Sequence, residues 1–165
     1  MKRAIVVLIL LAPLQHWESQ RSGTGARLRG ISVVSDQVAW AGGSGGTVLR
    51  TIDGGRAWQR LTVPDAAALD FRDIDPMSAT VAYVLSIGNG PASRIYKTTD
   101  GGQTWTLQFQ NSEPRAFLDA MAFWDEQRGV AFSDSIDGRF FVLRTTDGGS
   151  TWTRVPTHRL PPPLG

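Results

Sequence analysis

The carboxylates best placed to do chemistry are Asp53, Asp100 and Asp147, separated by 47 residues at each step. Each sits in a near-identical box. Residues 51–58 read TIDGGRAW, residues 98–105 TTDGGQTW and residues 145–152 TTDGGSTW. A carboxylate set between a hydroxyl and two glycines is either a reactive site written three times or a structural joint written three times. Turn physics favours the joint. Asp in a tight turn accepts hydrogen bonds from backbone N–H groups two or three residues on. Paired glycines permit positive φ where a strand reverses. Thr51, Thr98 and Thr145 before the turn, and Thr104 and Thr151 after it, can add hydroxyl bonds; Ala57 removes one such bond from the first box. Trp58, Trp105 and Trp152 then fold onto apolar surface, each with about 150–250 Å² to bury.

Other chemistries find little material. The chain has no cysteine, which excludes disulfides, thiolate catalysis and zinc–sulfur sites. Its two histidines, His16 and His158, stand in no ligand spacing. Gly88-Asn89-Gly90 is no dinucleotide fingerprint, because no helix follows it. No catalytic residue, cofactor or metal ligand is assigned. The formal charge is +2, and fifteen of the seventeen basic residues are scattered arginines. Nucleic-acid binding calls for a basic stripe interleaved with aromatics, and none is visible.

The elements that must position the boxes follow from periodicity. At 165 residues with six tryptophans and seven phenylalanines, the chain can bury a core. Its eighteen glycines exceed the usual share of roughly 7 % and punctuate short apolar runs, which suits an all-β chain. Upstream of the boxes, Val38-Ala39-Trp40, Val81-Ala82-Tyr83 and Val130-Ala131-Phe132 occupy equivalent places, and Leu28, Phe71 and Phe117 open each unit. Each unit reads as four strands, the last starting at the box tryptophan. Four antiparallel strands per 40–50 residues make one blade of a β-propeller. Blades are expected over about 28–63, 69–110 and 116–156.

His16-Trp17-Glu18-Ser19-Gln20 resembles a fourth strand with no box before it. Residues 16–20 are therefore read as the closing strand of a last blade that the sequence does not contain. Three blades fall short of the usual 4–8, so the partial propeller over 16–165 needs the missing blades or an oligomer to close its ring. The proline-rich run from Pro161 reads as a connector, and the whole as the N-terminal portion of a larger propeller. Met1-Lys2-Arg3 and the apolar run from Ala4 to Leu14 read as a signal peptide over residues 1–15. The run is too short for a bilayer span of about 20 residues. A buried first strand and an uncleaved anchor are the competing readings.

The box Ser/Thr-x-Asp-x-Gly-x-Thr-Trp resembles the Asp-box, or BNR repeat, of sialidases and other propellers. Residues 98–105 and 145–152 match at every defined position; Ala57 is the one departure in the first box. The resemblance implies structural turns between third and fourth strands, carried by Thr51, Asp53, Gly55 and Trp58, by Thr98, Asp100, Gly102, Thr104 and Trp105, and by Thr145, Asp147, Gly149, Thr151 and Trp152. The doubled glycine, with VAW and GTVLRTIDGG, is similar to the photosystem II stability/assembly factor-like group. That group implies an exported, non-enzymatic ring of about seven blades that binds another protein, in the periplasm or outside the cell. A role in photosynthesis is not carried over.

In sialidases the face opposite the boxes holds the active site, with an arginine cluster for the substrate carboxylate. Here that face is expected to carry Arg29, Arg72, Asp73 and Asp119 from the first strands. Asn89, Asp134 and Asp137 are expected there too, in second-to-third-strand loops over 42–46, 87–93 and 134–138. Glycosidase chemistry needs two carboxylates, or a tyrosine with a glutamate, at a set separation. Tyr83 and Tyr96 fall on strands where core burial explains them, and Asp73 and Asp119 read equally well as strand-end caps. Protein binding is the favoured reading; a sialidase-like or other glycan-processing propeller is the alternative.

Overall fold

A computed structural model describes residues 18–161. The leader expected over 1–15 lies outside these residues, as do His16 and Trp17. Twelve strands form three four-stranded antiparallel sheets, each built in chain order. The first sheet holds β1 (Leu28–Val33), β2 (Ala39–Gly43), β3 (Thr47–Thr51) and β4 (Gln59–Thr62). The second holds β5 (Asp70–Pro76), β6 (Ala82–Ile87), β7 (Arg94–Thr98) and β8 (Thr106–Gln110), and the third β9 (Leu118–Phe123), β10 (Gly129–Ile136), β11 (Arg139–Thr145) and β12 (Thr153–Arg154). The fold is all-β: three consecutive propeller blades, short of a closed ring.

Blades stack face to face, so their middle strands are covered on both sides. This is why β2 and β6 are buried almost throughout and read as continuous apolar runs. Trp40, Val48 and Leu61 of the first blade meet Phe71, Ile74, Val84, Tyr96 and Trp105 of the second. Trp40 and Trp105 cross edge to face at 6.3 Å, a geometry the ring quadrupoles favour. Tyr83, Leu85 and Ile95 then meet Leu118, Met121, Phe141 and Leu143. Each such side chain, once out of water, contributes about 1.5–3 kcal/mol.

Two sequence expectations are corrected. The triplet Val130-Ala131-Phe132 sits two residues out of step: Trp40 and Tyr83 pair with Arg50 and Lys97, but the partner of Arg144 is Val130. The cause is the turn before the second strand, which spans the same number of residues in each blade and is closed by the Val34, Met77 and Trp124 N–H groups donating to the Val38, Val81 and Arg128 carbonyls. The loop expected over 134–138 shrinks to Asp137-Gly138, because Ile136 pairs with Arg139 across a turn with φ of 52° and 68°. That is the geometry of a tight Asp-Gly hairpin, and it places Asp134 on β10. Residues 18–20, the described part of the closing strand expected over 16–20, are not in a strand; the Gln20 side chain donates to the Gly54 carbonyl and accepts the Trp58 indole N–H.

Candidate functional site

The boxes share one geometry. Thr98 Oγ1 donates to Asp100 Oδ1 at 2.9 Å and accepts the Gly102 N–H at 2.8 Å. Asp100 Oδ1 also accepts the Thr104 N–H at 2.9 Å, and Oδ2 accepts the Thr104 hydroxyl. Thr145, Asp147, Gly149 and Thr151 repeat this. Thr51, Asp53 and Gly55 repeat it without the hydroxyl bond, since Ala57 offers only its N–H. The amides lie four residues on, not two or three, because two successive glycines at φ of 77° and 85° widen the turn. These donors hold Asp100 at about 2, the Thr104 hydroxyl and amide contributing most; Asp147 is lowered for the same reasons, and Asp53 by the Ala57 amide first and then the Thr51 hydroxyl. Asp100 and Asp147 thus each accept three hydrogen bonds from their own turn, and Asp53 two.

The boxes are also where one blade meets the next. A Cβ on Gly102 would collide with Leu61 of the preceding blade, and one on Gly149 would meet Gln108 and Tyr83. Arg50 stacks on Trp40, 5.4 Å from its centroid, and donates to the Ala79 carbonyl at 3.0 Å. Lys97 lies over Tyr83 at 5.0 Å, and both donate to the Gly148 carbonyl at 3.0 Å. An aromatic–base pair on the first blade and another on the second thus latch onto the turns of the blade that follows. Arg50 and Lys97 stand directly before their boxes in the sequence, and what marks their use is the direct cross-strand pairing with Trp40 and Tyr83.

The opposite face gathers the charged candidates. In every blade the innermost strand carries a bulge, at Arg29, Arg72 and Asp119. A bulge leaves one residue unpaired and re-aims its side chain. Arg29 meets Asp70 at 2.9 Å and Arg72 meets Asp119 at 2.9 Å, so the bulged arginines bridge successive blades. Asp73 accepts the Met121 N–H at 2.7 Å, and Asp75, which sequence reading passed over, accepts the Phe123 N–H at 2.7 Å. Burial pushes the Asp75 carboxyl up, the Phe123 amide pulls it down and the Asp73 charge adds to the rise. Asp119 is raised by burial first, then by the charge of Asp134 and a hydrogen bond with it, while Arg72 opposes. Asp137 stands apart at the hairpin tip, lowered by its hydrogen bond with Arg115 at 2.9 Å. Asn89 is exposed and bridges to Phe117 through its backbone.

Thus Arg29, Arg72, Asp73, Asp119 and Asp134 share the inner rim, whereas Asn89 and Asp137 sit outside it. Among the described residues no group of three or more metal-ligating side chains is present, and no helix is long and apolar enough to cross a membrane.

No family model and no curated protein matches the chain. Solved structures do. A structure of YCF48 bound to D1 peptide superposes with a TM-score of 0.62 at 22 % identity, over 79 % of this chain and 41 % of that one. YCF48 from Cyanidioschyzon merolae gives 0.60 at 20 % identity, over 79 % and 40 %. The GH74 enzyme of Niastella koreensis gives 0.56 at 20 % identity, over 78 % and 22 %. The chain thus spans about 40 % of the YCF48 structures it resembles. What these likenesses share is the propeller fold, which carries binding proteins and enzymes alike.

Proposed function

We propose that this chain is an exported, periplasmic or extracellular propeller that binds another protein and catalyses no reaction, in the manner of an assembly or stability factor. One observation carries the reading: the charged side chains of the inner rim are spent on one another. Arg29, Arg72 and Asp73 each bond the neighbouring blade, so they brace a surface and leave recognition to what surrounds it. The loop-bearing face supplies that surface, with exposed Asn89 and the Asp137 tip projecting from hairpins of unequal length. The likeness to YCF48 bound to D1 peptide supports a peptide of another protein as ligand.

The glycan-processing reading keeps one observation of its own. Burial, and then the charge of Asp134, hold the Asp119 carboxyl above the usual range, and GH74 enzymes share the fold. Two assays on the same preparation separate the readings: calorimetric titration with the D1 peptide, and reducing-sugar release from xyloglucan. Saturable peptide binding, weakened by Asn89→Ala or Asp137→Lys, supports the proposal. Sugar release that disappears in Asp119→Asn or Asp134→Asn overturns it. Export is tested by N-terminal sequencing of the protein from periplasm and medium, which is expected to begin near residue 16; retention of residues 1–15 in the cytoplasm overturns that part.

A further inference from the structure

The loop-bearing corner of the second blade is held by buried polar side chains. Ser93, fully buried, donates to the Gly88 carbonyl and accepts the Leu118 N–H at 3.0 Å. Ser86, buried as completely, donates to the Ala92 carbonyl at 2.6 Å and accepts the Arg94 N–H at 3.1 Å. Asn111, 2 % exposed, donates to the Glu113 and Ala116 carbonyls and accepts the Glu113 N–H at 3.0 Å. Backbone contacts complete the corner. The Asn111 N–H bonds the Ser93 carbonyl, the Gly90 N–H bonds that of Ala116, and Asn89 bridges to Phe117. The hairpin over 87–93, the connection over 111–117 and the start of β9 thus form one bonded unit.

The first blade closes the same corner without such side chains. Gly43 holds the place of Ser86, since they pair with Thr47 and Arg94, the first residues of β3 and β7. Gly46 and Ser93 directly precede those residues, and Val63 and Asn111 directly follow their partners Thr62 and Gln110. In the first blade a backbone bond suffices, from the Gly46 N–H to the Leu69 carbonyl at 2.8 Å. Buried polar side chains are therefore not something the blade itself requires here. A buried polar network with its members satisfied fixes a single conformation. What it fixes is a crest of exposed residues, Asn89 and Pro91 on the hairpin, Pro114 and Arg115 on the connection. The two rows adjoin: a Cβ on Gly90 would lie 3.4 Å from the Pro114 Cα. The rings of Pro91 and Pro114 stiffen both rows further. The second blade packs against a blade on each side, so the crest lies at neither end of the arc.

We propose that this crest is the recognition element of the loop-bearing face, and that Ser93 and Asn111 are positioning residues that set it before a partner arrives. The inference rests on the protein-binding reading above and deepens it. The occupant is an extended segment of another protein. The Asn89 side chain caps nothing and bonds nothing among the described residues. Its carboxamide offers a donor and an acceptor together, which is what the N–H and C=O of a peptide unit require. The exposed rings of Pro91 and Pro114 add apolar contact beside it. A surface already held in its bound form loses little conformational freedom on association.

Amide hydrogen exchange and calorimetric titration with the D1 peptide, both on the full chain, test this. Asn111→Val installs the residue that the first blade uses at the same place, and Ser93→Ala removes the hydroxyl. In both, the corner amides of Gly90, Glu113 and Ala116 are expected to exchange about tenfold faster, the effect of one lost hydrogen bond, while those of β7 keep their protection. Peptide affinity falls about tenfold in the same two variants, and about fivefold in Pro91→Gly, an exposed change that leaves the buried network whole. Thr98→Val costs stability in a box on the opposite face and keeps the parent's affinity, which separates positioning from stability. Variants that exchange faster yet bind as the parent does, or corner amides that keep the parent's protection, overturn the inference alone. A parent that binds no D1 peptide overturns the protein-binding reading on which it stands.

Discussion

Replacing Thr98 by valine tests whether the box is held by its first threonine. Thr98 is 2 % exposed, donates to Asp100 and accepts the N–H of Gly102, itself buried. Valine keeps the shape and removes both bonds. The Asp100 carboxylate is open to water and recovers its lost partner there, so most of the cost falls on the Gly102 donor. A buried N–H left unpaired costs about 1–3 kcal/mol. With a urea m-value near 2 kcal/mol/M for a protein this size, the unfolding midpoint falls by about 0.5–1.5 M. Tryptophan fluorescence reports the transition, since Trp105 is the last residue of the box. Thr98→Ser keeps the hydroxyl and should stay within about 0.3 M of the parent, on the same m-value reasoning. Equal damage from valine and serine would place the effect in the lost methyl and refute the hydrogen-bond account, as would a valine variant indistinguishable from the parent.

Acid titration of stability should show the boxes directly. Asp100 falls from 3.8 unfolded to about 2 folded. The unfolded chain thus binds the proton more readily, and the stabilisation is complete above about pH 4 and disappears as pH drops through about 2. Urea midpoints of Asp100→Asn are expected to flatten over that interval. Asp75→Asn should act in the opposite sense: its folded carboxyl is raised, so ionisation weighs against the fold as pH rises, and an amide oxygen can still accept the Phe123 N–H. The variant is expected to raise the midpoint at pH 7 and to lose that advantage on acidification. For Arg72 and Asp119, a double-mutant cycle should return no more than about 1 kcal/mol, since Arg72 is 48 % exposed. Gly138→Val, at φ 68° in open space, should cost about 1 kcal/mol through backbone strain alone, read as a lower thermal midpoint.

The boxes were legible because every interaction in them is local: a hydroxyl, a carboxylate, two glycines and an amide within eight residues. The blades were legible for a related reason, the strict 47-residue spacing of Asp53, Asp100 and Asp147. What escaped the sequence joins one blade to the next. Arg72 meets Asp119, and Asp75 meets Phe123, at 47 and 48 residues' separation, and nothing in either segment announces the other until the innermost strands stand side by side. The bulges at Arg29, Arg72 and Asp119 were hidden too, because one unpaired residue leaves no mark on a short strand's alternation. The loop over 134–138 was a different case: Asp137-Gly138 is a strong hairpin signal and could have shortened it.

Site and joint prove to be false alternatives for the DGG box. Both glycines of each box are left-handed, at φ of 77° and 85° in the second, and each also meets a neighbouring blade or the chain before it. The first, Gly101 or Gly148, lies where the latch arrives: Arg50 crowds the former, and the carbonyl of the latter takes both Lys97 and Tyr83. The second, Gly102 or Gly149, lies under a side chain of the preceding blade's outer strand. Positive φ alone would tolerate an asparagine; the approach of a neighbouring blade would not. The doubled glycine therefore records a contact between blades, and the same turn that reverses the chain serves as the socket into which the preceding blade locks. In the first blade the side chain of Gln20 stands against the equivalent glycine, Gly55.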